Sequence, residues 1–176
     1  YDSLTNRMTG AEALARWIRK DGTMVMPSDF IPVMEEEGLI VEHDWYMLDE
    51  VCRFLKSQRD YGLKMVPISV NFSRKHMEEE EFLLHLNAIV DFYEVSHESI
   101  VVEITENTFS SDARKALDFC NKVREDGYHV AIDDFGSGSS SLSFLKDLNA
   151  DIFKIDKSLL QGNFEDAKER IVLASI

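Results

Sequence analysis

The chain has 176 residues, 44% hydrophobic and 10% aromatic, which suits one globular core and a single domain rather than a disordered chain. Its formal net charge of −14 excludes broad binding to a nucleic acid polymer, which needs a basic face, but leaves room for a small anionic ligand where cations or local Arg and Lys offset the field. No apolar run reaches the roughly 18 residues of a membrane span and no signal peptide is visible, and Cys52 and Cys120 read as buried reduced thiols, so a cytoplasmic location is expected, with any membrane anchor of the parent protein upstream of Tyr1.

Thr5-Asn6-Arg7 is a turn signal, and the run from Met8 reads as a strand. The opening is therefore expected to be a short hairpin whose first strand is cut off by the chain start. Ser28 is positioned to cap a helix that stops at Gly38. A second helix, about 42 to 60, places Trp45, Leu48, Val51, Cys52 and Leu55 at helical spacing. "MVPISVN" is a short apolar run ending in Asn71, and the amphipathic helix after it has the acidic run Glu78 to Glu81 in its first turn. "SIVVEITE" is a buried strand ending in carboxylates. A helix then runs from a cap near Ser111 to a Gly stop at 127. "YHVAIDD", a short helix through Leu148, the strand "DIFKID" and a final helix from about 164 complete the chain.

Strands and helices alternate, and the strands are too apolar to be half exposed. This predicts an α/β fold with a parallel sheet covered by helices. The histidines at 43, 76, 85, 97 and 129 are scattered and read as surface or packing residues, as do Trp17, Trp45 and Phe135.

The polar residues gather at strand ends. Glu12 lies in the opening hairpin, Asn71 ends the next strand, and Glu103 and Glu106 the one after. Asp133 and Asp134 follow, then Lys154 and Asp156. One strand-end Asp or Asn is ordinarily a turn or cap residue. The same chemistry at every strand end points to one site, on the edge where a β/α barrel holds its active site. Crowded carboxylates repel, and a divalent cation relieves them. Oxygen donors suit Mg²⁺ or Mn²⁺, and the lack of a Cys/His cluster argues against zinc. Adjacent aspartates suit two metals, and two-metal sites hydrolyse phosphate esters, with Lys154 orienting or polarising water. Two other readings stay open: nucleotide recognition without cleavage, and a metal-free polar cluster.

"AEALARW" (11–17), "SVNFS" (69–73), "VEITE" (102–106), "IDDFGSGSSSLSFL" (132–145) and "FKIDKSLL" (153–160) resemble, in order and spacing, the motifs of the EAL domain family. "PSDFIPVMEEEGLI" resembles its first helix region. The resemblance covers nearly the whole chain. It implies a TIM-like (β/α)8 barrel variant with an antiparallel first strand. It also implies a bacterial signalling phosphodiesterase that linearises cyclic di-GMP to pGpG with two Mg²⁺ or Mn²⁺ ions, the alternative being a catalytically inactive cyclic di-GMP-binding receptor or interaction domain. Carried across, Glu12, Asn71, Glu103, Asp133 and Asp134 are metal ligands. Lys154 assists the attacking water, and Glu106 holds the loop after Asp134. Leu14 and Arg16 contact substrate. Asp156, grouped with them, is either a partner of Lys154 or a cap for the next helix.

Two departures stand out. Ser139 replaces an aromatic usual in the family's loop. The chain also stops at Ile176, so residues 1–176 are expected to be an EAL domain with a clipped N-terminal strand and without barrel strands 7 and 8, inactive alone unless completed by association. The resemblance further implies a homodimer and an upstream sensory or diguanylate-cyclase-like domain in the parent protein.

Overall fold

The structure, a computed structural model, describes residues 1–137 and 148–157. Its strands are β1 (Ala11–Glu12), β2 (Trp17–Ile18), β3 (Met24–Val25), β4 (Ile68–Asn71), β5 (Ile100–Thr105), β6 (His129–Phe135) and β7 (Ile152–Ile155). Its helices are α1 (Pro27–Glu36), α2 (Ile40–Asp60), α3 (Phe82–Phe92), α4 (Thr108–Ser111) and α5 (Ala113–Glu125), with 3-10 turns at Arg74–Glu78 and His97–Ser99.

The main sheet runs β1-β4-β5-β6-β7, and every pairing in it is parallel. The expected α/β fold is present. The antiparallel first strand is not found among the described residues: β1, which carries Glu12, runs parallel to β4. Among the described residues, antiparallel pairing is confined to the small β2–β3 hairpin and to a bridge between Asp2 and Arg7, which closes the turn at Asn6 (φ 57°). Met8 and the residues up to Gly10 are not in a strand.

Strand parity decides what each face carries. Residues paired across strands share a face, and so do residues two apart on one strand. Val70, Val102, Ile104, Val130 and Ile132 fall on one face and are at most 1% exposed. They pack with Leu48, Leu55, Leu86 and Val123 of the covering helices into one core. The other face carries Ser69, Asn71, Glu103, Ala131 and Asp133. One face is thus an oily layer under helices and the other is polar.

Helix ends follow local chemistry, with three differences from the sequence reading. Pro27 begins α1 with Met26 at the cap position, so Ser28 lies inside the helix. The fixed φ of proline suits a first helical position, where no N–H is needed. The acidic run Glu78 to Glu81 precedes α3 rather than forming its first turn. α2 begins at Ile40, slightly before the expected start. Asp112 caps α5, accepting from the Lys115 N–H at 3.0 Å, and Gly127 (φ 93°) follows its end. The expected short helix before Leu148, the final helix and Ser139 lie outside the described residues. No helix among the described residues is long and apolar enough to cross a membrane.

Asp112→Ala is expected to lower stability by about 1 kcal/mol through loss of the α5 cap. A denaturant titration with unchanged slope checks this.

Candidate functional site

The register brings the expected residues onto one face. Glu12 pairs with Ser69, two residues before Asn71, and Asn71 pairs with Glu103. Glu103 pairs with Ala131, two before Asp133, and Ala131 pairs with Ile152, two before Lys154. Each step preserves the face, so Glu12, Asn71, Glu103, Asp133 and Lys154 all project from the polar side.

Lys154 joins the outermost strands. Its Nζ donates to Glu12 Oε2 at 2.8 Å and to Glu103 Oε1. In a flat sheet β1 and β7 would stand four strand spacings apart, about 19 Å, farther than lysine and glutamate side chains reach together. The sheet must therefore curl with its polar face inward, as a barrel wall does. Asn71 Nδ2 also donates to Glu12 Oε1, at 3.1 Å.

Adjacent aspartates on a regular strand point to opposite faces. Here the pairing of β6 with β7 is irregular: Ile132 faces Phe153, whereas Phe135 faces Ile155. Three steps on β6 match two on β7, the count of a β-bulge. Asp134 has φ 53°, in the left-handed region where Asp is tolerated better than most residues. The extra residue returns the Phe135 ring to the core, 5.3 Å from Phe153 by ring centroids, and frees Asp134 from the helix-covered face.

Glu106 sits 2% exposed at the end of β5. Its backbone N–H donates to the Asp133 carbonyl at 2.9 Å, and its Oε2 accepts from the Gly136 N–H at 2.6 Å. The carboxylate therefore grips the chain just after the paired aspartates. The Asp156 N–H donates to the Phe135 carbonyl at 3.0 Å, tying the end of β7 to the same turn.

The EAL domain family profile matches residues 1–176. The chain belongs to the EAL domain family. It is 36% identical over 164 residues to PdeB of Escherichia coli (strain K12), named a probable cyclic di-GMP phosphodiesterase, covering 91% of this chain and 31% of that protein. It is 31% identical over 169 residues to MucR of Pseudomonas aeruginosa, named a bifunctional diguanylate cyclase/cyclic di-GMP phosphodiesterase, covering 96% of this chain and 25% of that protein. Among solved structures it resembles the PaMucR phosphodiesterase in its c-di-GMP complex, with a TM-score of 0.85 and 30% identity, covering 97% of this chain and 69% of that one. The chain spans about a quarter to a third of these curated relatives' length.

The electrostatics of this EAL site are uneven. Glu103 is fully buried; burial pushes its carboxyl above the usual range, against the pull of Lys154. Burial draws the Lys154 ammonium down, but its bonds to Glu103 and Glu12 outweigh that and hold it above the usual range. Burial, then the nearby Asp133 and Asp156 carboxylates, raise Asp134. Among the described residues, Glu103 Oε2 is buried without a hydrogen-bond partner.

The donor set fits a hard divalent cation in chemistry: carboxylate and amide oxygens, Glu103 and Asp134 with raised affinity for protons, and an open lone pair on Glu103. Among the described residues, however, no group of three His, Cys, Asp or Glu side chains is arranged as a ready metal site. Lys154 instead neutralises Glu12 and Glu103.

Beside the cluster, at the C-terminal ends of the strands, lies a cavity of about 490 Å³, a size that suits a small-molecule ligand. Leu14, Arg16 and Asn71 line it. Arg74 and Asn107 line it too and were not singled out from sequence, although each follows a polar strand end by a few residues.

Lys154→Met leaves Glu103 buried without its cation. It is expected to destabilise the protein by about 2–3 kcal/mol, below the range for a fully buried pair because Lys154 is partly exposed. The folded variant then binds a proton at Glu103 more strongly than the unfolded chain does, so its stability rises as pH falls from neutral through the raised Glu103 pKa. Adding Glu103→Gln recovers most of the loss and removes that slope. Thermal melts from pH 5 to 8 on both variants test this.

Asp134→Gly is expected to be about 1 kcal/mol more stable than Asp134→Ala, because both delete the carboxylate but only alanine keeps the left-handed backbone penalty. Equal unfolding midpoints would contradict the assigned backbone strain.

Proposed function

We infer that this EAL domain hydrolyses cyclic di-GMP to linear pGpG with a divalent cation, Mg²⁺ or Mn²⁺. The observation that carries the inference is the set Glu12, Asn71, Glu103, Asp133 and Lys154 on one curled sheet face, beside a cavity bearing Arg16 and Arg74. The cyclic di-GMP named with MucR and PaMucR supports the choice of substrate.

Each residue has a task that its placement supports. Arg16 and Arg74 supply charge for the phosphates of the dinucleotide, guanidinium being suited to phosphate oxygens. Glu12, Asn71, Glu103, Asp133 and Asp134 are the residues that would hold the cations. Bound there, divalent cations supply Lewis-acid stabilisation of phosphoryl charge and favour deprotonation of water. Lys154 holds the attacking water by donating a hydrogen bond to its oxygen. As that oxygen bonds to phosphorus, the P–O3′ bond breaks; the water loses a proton and the 3′ oxygen gains one. Glu106 keeps the Asp133–Gly136 turn in place through Gly136.

Recognition of cyclic di-GMP without cleavage is the second reading. The ion pairing of Lys154 with both Glu12 and Glu103 favours it, because a cation of the chain itself then neutralises those two carboxylates.

The full-length protein is expected to convert cyclic di-GMP to pGpG when Mg²⁺ or Mn²⁺ is added and to stop when EDTA is present, read by chromatography. Asp133→Asn is expected to lower turnover about 100-fold or more. Tight binding with no product in either cation would favour the receptor reading, and neither binding nor product would remove both.

A further inference from the structure

A buried polar network in the cavity wall is used by none of the roles above. Asp44, on α2, is 4% exposed, and His76, in the 3-10 turn Arg74–Glu78, is fully buried. One carboxylate oxygen of Asp44, Oδ2, accepts the Ser73 N–H at 2.8 Å and lies 3.1 Å from His76 Nε2. Its other oxygen, Oδ1, lies 3.1 Å from His43 Nδ1. The second nitrogen of His76 faces Glu79 Oε2 at 3.1 Å. Aromatic rings of Trp45, Phe72 and Phe82 surround the His76 ring, with centroids 4.9 to 5.5 Å away. Burial alone would raise the Asp44 carboxyl; its bonds to His43, His76 and the Ser73 N–H outweigh that and hold it below the usual range.

A buried carboxylate is costly unless fully bonded, so this one fixes whatever it bonds to. It bonds to the backbone at Ser73, two residues after Asn71 and one before Arg74. The segment from Asn71 to Arg74 lines the cavity, and so does Asp44. On the far side of the turn, Lys75 Nζ donates to the Glu35 carbonyl in the last turn of α1, a helix with no basic residue in that turn. The 3-10 turn therefore ties both helical walls of the cavity, α1 and α2, to the end of β4.

We propose that Asp44, with His76, is a positioning residue for substrate: it anchors the backbone at Ser73 and so sets where Asn71 and Arg74 meet the bound cyclic dinucleotide. This rests on the proposed function for its ligand. It acts on binding geometry and touches no reacting atom. Its loss should therefore show chiefly as weaker binding and a raised KM, with a smaller change in kcat.

The test compares variants of the full-length protein by cyclic di-GMP titration and by amide hydrogen exchange. Asp44→Ala is expected to weaken binding about 10-fold or more and to lose protection at the amides of residues 72–76. Asp44→Asn, which keeps an oxygen for the Ser73 N–H, is expected to bind within about threefold of the parent. Ser73→Pro removes the same hydrogen bond from the other side; the Ser73 backbone, φ −64°, already suits proline. It is expected to weaken binding as Asp44→Ala does, and it serves if that variant fails to fold. Leu55→Ala, in the core side of α2, is the control: it lowers stability but leaves binding unchanged. Parent-like binding by Asp44→Ala and Ser73→Pro would overturn the proposal. So would a loss in Leu55→Ala equal to theirs, since that is general destabilisation. If the parent binds no cyclic di-GMP, the proposed function fails, and unchanged protection at residues 72–76 in Asp44→Ala still overturns the anchor.

Discussion

The Glu103 carboxylate is the constraint around which the site is built. It sits at the centre of a parallel sheet with no exposure to water, and burying an unpaired charge there is among the most costly things a fold can do. Lys154, from the far edge of the sheet, supplies the counter-charge and reaches on to Glu12 at the opposite edge. That bridge is possible only if the sheet curls. The same ion pair thus answers an electrostatic problem and reports the shape of the wall that creates it.

Strand parity links this centre to the hydrophobic core. A parallel sheet covered by helices needs one oily face, supplied by Val70, Val102, Ile104, Val130 and Ile132. Alternation then assigns the intervening positions to the inner face, where Asn71, Glu103 and Asp133 come together from separate strands. The bulge at Asp134 breaks the alternation at one point and lets two neighbouring aspartates serve one face. Its left-handed backbone is local strain beside the clustered carboxylates, and Glu106 braces the turn that follows.

Much of this was legible in the sequence. Apolar runs ending in Asn71, Glu103, Asp133 and Lys154 gave the strands, their parallel order and the shared edge, because continuous apolar strands between amphipathic helices have few other arrangements. The parallel direction of the strand at Glu12 was not legible: two residues of pairing leave no periodicity to read, and the turn at Asn6 suggested a hairpin. The α1 cap was misplaced because Ser28 is a strong capping type, while Pro27 one residue earlier fixes the helix start. The bulge could not be seen either, since it depends on the register of β6 against β7. The Asp44–His76 network was hidden for a similar reason. Its members lie 32 residues apart and look individually like ordinary helix-surface or packing residues; only the fold closes them on Ser73.

The proposed cation site rests on the inner-face carboxylates around Glu103, two of which, Glu12 and Glu103, Lys154 neutralises. Calorimetric titration of Mn²⁺ into the full-length protein tests it most directly, with the parent compared with Glu103→Gln. The parent is expected to bind saturably and the variant to lose that binding. Equal binding by both would contradict it.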